Sequence, residues 1–183
     1  MNMIEAASEY ESVKGQVLAE FASLSDAQLN WKPSQSSWSV GQCLDHLILS
    51  KRFFMPDLDR VSSGNRVNSF WENWSPLRAL STKFYLSYMR SNKTKVKAPS
   101  KEIVPPSRIP ADIVERFVRQ QDEIISKIAG IPEEVARKTT LSSPFLKAVT
   151  YRLGDGLLIL AEHDRRHIRQ ARRVMASDGF PRG

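Results

Sequence analysis

Leu157-Leu158-Ile159-Leu160-Ala161-Glu162-His163-Asp164-Arg165-Arg166-His167-Ile168-Arg169-Gln170 lies at the centre of a run in which Leu153, Leu157, Leu160, His167, Ala171 and Val174 recur three, four or seven positions apart. That period predicts an amphipathic helix of about 25 residues starting near Tyr151. His163 and His167 share a face with Leu160, Gly156, Gln170 and Val174. Their Cβ atoms stand roughly 5 to 6 Å apart, a separation that two ligands of one metal ion can use. The chain has only three histidines, so this pair is two thirds of its imidazole chemistry.

Outward from this segment, three others carry the same period. Met3 to Phe21 places Ala6, Tyr10, Val13, Val17 and Phe21 on one stripe. Trp38-Ser39-Val40-Gly41-Gln42 opens another helix: Ser39 is the N-cap, Gln42 closes a capping box, and Trp38 is placed to staple onto Cys43. Its stripe of Val40, Leu44, Leu47 and Ile48 runs up to Pro56 and carries the third histidine, His46. Pro110 suits a first helical turn, and Ile113, Phe117, Ile124 and Ile128 follow it to a stop near Gly130. Four helices with apolar faces predict an all-α four-helix bundle, read as one domain over residues 1–183. No segment alternates with the period of a strand.

The connections differ in length. Ser25-Asp26-Ala27-Gln28 is a second capping box and predicts a short helical turn before Pro33. The long connection from about Gly64 to Ile109 contains Ser75-Pro76, expected to open an extra short helix through about Arg90. Beyond it Lys97-Ala98-Pro99, Pro105-Pro106 and Pro110 enforce an extended crossover.

Composition excludes several classes. With 183 residues, 41% hydrophobic and 26% charged, the chain can bury one core. The N-terminus does not resemble a signal peptide, and no stretch approaches the roughly 18 to 20 apolar residues of a membrane span. One cysteine, Cys43, rules out an internal disulfide framework; a cytoplasmic protein is expected. The net charge of +7 raises nucleic acid as a partner. However, the positives fall into a loose group at Lys93, Lys95, Lys97 and Lys101 and a second at Arg165, Arg166, Arg169, Arg172 and Arg173. The second reads better as a solvated face that complements its helix dipole. No zinc-finger spacing or Gly-rich phosphate loop supports nucleic acid, whereas a small anionic molecule fits the same charge.

His46 shares a partly apolar face with Gln42, Cys43, Ser50 and Phe53. With His163 and His167 it offers three neutral imidazoles, a set that zinc accepts while keeping a fourth position open. Nickel or iron is served by the same ligands. Three hydrogen-bonded core histidines are the plain alternative. His163 to His167 also looks like the H-E-x-x-H motif with Asp164 in place of glutamate. That side chain is shorter, and no histidine or glutamate follows to complete a protease site. Cys43, one turn before His46, is placed either to line the pocket or to take the fourth position; a small apolar filler is the preferred reading. Gln170 is placed to bond a ligand or to finish packing. Asp45, Glu162 and Asp164 adjoin the histidines in sequence and are expected to point elsewhere.

Trp38-Ser39-Val40-Gly41-Gln42-Cys43-Leu44-Asp45-His46-Leu47 and Glu162-His163-Asp164-Arg165-Arg166-His167-Ile168-Arg169-Gln170 together resemble the two signatures of the DinB/YfiT-like superfamily. Lys97-Ala98-Pro99 and Ser142-Ser143-Pro144-Phe145 are similar to its DinB-2 branch. The resemblance implies a four-helix bundle with a long crossover and a metal triad of His46, His163 and His167, usually zinc or nickel. It implies as activity a thiol-dependent S-transferase using a low-molecular-weight thiol cosubstrate, or a related hydrolase, acting on a small-molecule substrate. Some members are homodimers. Basic residues near the mouth would hold the carboxylates of such a thiol; the sequence does not single one out, and Arg166, the first candidate, is equally placed for a surface salt bridge. The competing reading is a non-enzymatic metal-binding or stress-response bundle. No catalytic residue beyond the ligands is assigned.

Overall fold

The computed structural model describes residues 1–74, 78–90, 100–146 and 149–182. Four long helices form where the stripes predict them: α1 (Met3–Phe21), α3 (Val40–Arg52), α7 (Ile113–Ala129) and α9 (Leu153–Met175). Between them lie the short helices α2 (Asp26–Asn30), α4 (Met55–Ser62), α5 (Phe70–Asn73) and α8 (Glu133–Lys138) and, in the crossover, α6 (Arg78–Arg90), which is as long as α3. Both expected capping boxes are present, at Ser25 with Gln28 and at Ser39 with Gln42. Two more, Asn2 with Glu5 at α1 and Ser69 with Glu72 at α5, were not anticipated.

The stripes of α1 and α7 are buried as patterned: Ala6, Tyr10, Val13, Val17 and Phe21 face inward with Ile113, Phe117, Ile124 and Ile128. Helix α1 packs on α7 and α9, and α3 packs on the same two, so α1 and α3 stand at opposite corners. The core has two apolar clusters along the bundle. Tyr10, Ile124 and Leu157 belong to the first, and Val17, Leu44, Phe117 and Ile168 to the second. Reading each helix through them, α1 and α9 run one way and α3 and α7 the other. Neighbouring helices that run in the same direction need a connection as long as the bundle, and the crossover between α3 and α7 supplies it. On its way α6 packs along α9, and a 3-10 turn, Lys101–Ile103, comes back against α3.

Several expectations shift. The α3 stripe stops at Arg52, and Pro56 sits in the first turn of the separate helix α4, where a missing N–H costs nothing. Helix α7 begins at Ile113 with Asp112 as cap rather than at Pro110. Ser75-Pro76 and Lys97-Ala98-Pro99 lie outside the described residues, as do Lys93 and Lys95; the helix expected after Ser75 is described from Arg78 to Arg90. The chain also contains two strands, β1 (Thr140–Ser142) and β2 (Thr150–Arg152), paired antiparallel with Leu141 opposite Tyr151. Three residues are too few to display a period of two. Pairing of Tyr151 and Arg152 is also why α9 starts at Leu153.

The β2–α9 junction is tight. A methyl group at Gly156 would lie 2.7 Å from the ring of Tyr151, which is 8% exposed. Overpacking of this kind costs about 1–3 kcal/mol, and the helix-propensity gain of about 1 kcal/mol offsets part of it. Gly156→Ala should therefore lower stability by about 1 kcal/mol in urea unfolding; an increase would mean that Tyr151 repacks freely.

Candidate metal centre

His46 projects from the middle of α3, and His163 and His167 from successive turns of α9. The three rings form a triangle with centroid separations of 5.2, 4.6 and 4.7 Å. Their ring nitrogens include a set lying within 4.8 Å of one another. The structure thus brings together all three histidines singled out in the sequence. His46 and His167 are buried, and His163 is half-buried.

The crossover determines how His46 presents itself. Its Nδ1 lies 2.7 Å from the carbonyl oxygen of Ile103. A carbonyl can only accept, so Nδ1 carries the proton and Nε2 keeps its lone pair. That lone pair faces His163 Nε2 at 3.3 Å, with the Ser50 hydroxyl 3.5 Å away. Trp38 covers the group, its ring centroid 4.8 Å from that of His46 and 5.7 Å from that of His167, on which it stacks. It also packs against the cluster that contains Cys43, so its role extends beyond the expected staple.

All three imidazoles are held neutral. Burial pushes His46 below its usual range, against the pull of the Ile103 carbonyl. Burial, then the proximity of the other two imidazoles and of the Lys51 and Arg166 cations, pushes His163 well below it. His167 is lowered to about 3, first by burial and then by His46 and Arg166, with the Gln170 amide acting the other way. A neutral imidazole is what a metal ion binds.

The residues fit a divalent ion. Zinc–nitrogen bonds of about 2.0 to 2.1 Å in a tetrahedron place ligand nitrogens about 3.3 Å apart, the separation of His46 Nε2 from His163 Nε2. The ring of His167 completes the set, with the Gln170 side chain as its polar neighbour. The Ile103 carbonyl is the kind of outer acceptor that fixes a ligand's tautomer. The group contains no carboxylate or thiol. Cys43 is fully buried, and burial raises its thiol to about 12, so it acts as the apolar filler preferred from sequence.

The three neighbouring carboxylates turn away as expected. Asp45 faces Arg116 at 3.5 Å, Glu162 faces Arg90 at 3.3 Å, and Asp164 meets Lys51 in the core. Four of the five arginines of α9 are tied into the bundle rather than simply solvated. Arg165 pairs with Glu9, and Arg172 with Glu20, both on α1. Arg166 and Arg169 donate to the carbonyls of Tyr88 and Met89 near the end of α6, where unpaired carbonyls welcome cations.

A helical bundle with three converging imidazoles on two facing helices defines the class. The chain belongs to the DinB superfamily, which it matches over residues 9–171. It is 26% identical over 159 residues to "Uncharacterized protein YuaE" of Bacillus subtilis (strain 168), covering 85% of this chain and 88% of the relative. No solved structure matches it. Among the described residues no helix is long and apolar enough to cross a membrane.

Proposed function

We propose that the protein is a metal-dependent enzyme in which His46, His163 and His167 hold a divalent ion, zinc or nickel, and that it transfers a low-molecular-weight thiol to a small electrophile. The observation that carries this reading is the pair of ring nitrogens 3.3 Å apart within a group of three neutral imidazoles. The thiol-transfer step rests on the family resemblance of the two histidine segments. Held by His46, His163 and His167, a divalent ion would stabilise the thiolate form of a thiol at neutral pH and so supply the nucleophile.

The chain's own part is to preorganise that position. Ile103 fixes the His46 tautomer through its carbonyl, Trp38 walls the group on one side, and burial keeps the three rings unprotonated. In the transfer a sulfur–carbon bond forms, the electrophile's leaving group departs with the electron pair of the broken bond, and the thiol's proton passes to water. Arg166 is less suited to hold a thiol carboxylate than its position in sequence suggests. Its guanidinium donates to the Tyr88 carbonyl and lies 5.1 Å from the Tyr88 ring centroid.

Elemental analysis of untagged protein should find close to one zinc or nickel per chain, lost in a His163→Ala/His167→Ala variant. The loaded protein should then consume 1-chloro-2,4-dinitrobenzene only when a small thiol is supplied. Metal without thiol-dependent turnover would favour the non-enzymatic metal-binding reading. Absence of metal after reconstitution with either ion would sink both.

A further inference from the structure

Lys51 and Asp164 have no exposed side-chain surface at all, and their Nζ and Oδ1 atoms lie 2.7 Å apart. At this distance the pair is an ion pair with hydrogen-bond character, felt by both groups. The pair sits between the two apolar clusters of the core. Gln121 of α7 donates to Asp164 Oδ2 at 3.1 Å, and the Lys51 ammonium lies 4.4 Å from the Phe117 ring centroid. Nothing in the proposed chemistry uses these groups, yet a buried pair of charges is expensive to desolvate.

Its place in the fold suggests what it does. Asp164 follows His163 and precedes His167 by one turn, while Lys51 follows Ser50, whose hydroxyl reaches both His46 Nε2 and the His46 carbonyl. The pair therefore joins α3 to α9, the two helices that carry the imidazoles. Nearby, Leu44, Leu47, Ile168 and Ala171 share an apolar cluster. Apolar contact is non-directional and tolerates sliding. A slip of one residue along a helix is about 1.5 Å, enough to take His46 off the 3.3 Å approach to His163. Two opposite charges in a dry core offset their desolvation over a narrow range of geometry only, and fixing register is the best-attested use of such groups.

We propose that the Lys51–Asp164 pair positions the three-histidine centre, locking α3 against α9 so that the imidazoles stay at ion-binding separation. This rests on the metal-binding reading above. The test is cobalt(II) titration of metal-stripped native protein and of a Lys51→Met/Asp164→Leu variant, after thermal unfolding has confirmed that the variant folds. Native protein should bind one cobalt with the intense visible bands of a tetrahedral site. The variant should keep a cooperative transition yet bind cobalt about 10- to 100-fold more weakly, the usual effect of removing groups that orient ligands, with altered bands. Should it fail to fold, Asp164→Glu, which keeps both buried charges paired but changes their reach, is titrated below its melting temperature against the same tenfold threshold. Unchanged affinity and bands in a folded variant would overturn the positioning role and leave the metal centre standing. Failure of native protein to bind cobalt or zinc would overturn both.

Discussion

Lys51→Met alone should lower unfolding free energy by about 3–5 kcal/mol, the usual consequence of leaving one buried charge without its partner. The double replacement Lys51→Met/Asp164→Leu should recover most of that loss. Burial raises the Asp164 carboxyl, and Lys51, then Gln121, pull it back; burial likewise lowers the Lys51 ammonium, against the attraction of Asp164. Each charge is tolerated because the other is there. With Lys51 gone, Asp164 keeps only the Gln121 amide and must take up a proton to remain in the core. The deficit relative to native protein should therefore shrink as pH falls toward the raised carboxyl value. Against a typical total of about 5–15 kcal/mol, the single variant is near the edge of folding. Paired urea titrations of single and double variants at two pH values check this. Equal losses in the single and double variants would mean that packing volume, not charge, is what the pair provides.

The bundle was legible because its information is local. Tyr10, Val17, Phe117 and Ile124 announce burial by their spacing alone, and each is at most 1% exposed. Ser25 and Ser39 mark helix starts by their partners three positions on. The triad was legible for a different reason: the chain contains only three histidines, two of them four apart. What sequence hid is long-range. Lys51 reads as an ordinary solvated helix lysine, and its partner is on a helix formed at the other end of the chain. Asp164 was expected to point away from the histidines, which it does, but into the core rather than into water. The Ile103 carbonyl leaves no signal, since any residue type offers one. Trp38 had a signal, an aromatic directly before a capping box, but a staple explained it locally and concealed its contact with His46 and His167.

These two kinds of information meet at one level of the bundle. Residues 162–167 of α9 lie between the stretches that feed the two apolar clusters, and there the helix faces polar groups on both sides. The imidazoles meet α3 and the ion pair meets α3 and α7. A core interrupted in this way gives up apolar contact for directional contact, the exchange that a site needing fixed geometry requires.

Metal-free protein should lose about 2 kcal/mol of stability between pH 8 and pH 5 from His167 alone, and His163 should add to that loss. Both are held below the ordinary value of 6.5, His167 to about 3 and His163 well down by burial and its positive neighbours. Above that ordinary value the imidazoles are neutral in folded and unfolded chains alike, and they contribute no pH dependence. As pH falls through it, the unfolded chain binds protons that the folded chain refuses, so the unfolded state gains. At pH 5 each histidine that stays neutral costs about 2 kcal/mol, and for His167 the loss continues toward about 3. His46 adds to it in the same direction. Asp45 and Asp164, both raised by burial, oppose it once pH reaches their own titration. An ion bound by the three rings should counter the loss, because it needs the same neutral imidazoles that the fold enforces. At about 1,000 times the dissociation constant it contributes about 4 kcal/mol. Saturating zinc should thus raise the melting temperature at pH 6, and binding should persist below the pH at which an exposed histidine site would protonate. Thermal unfolding across pH 5 to 8, with and without zinc, reads both effects. A flat metal-free profile would mean that the folded rings take up protons at the ordinary value, as exposed histidines do, so that the fold does not hold them neutral.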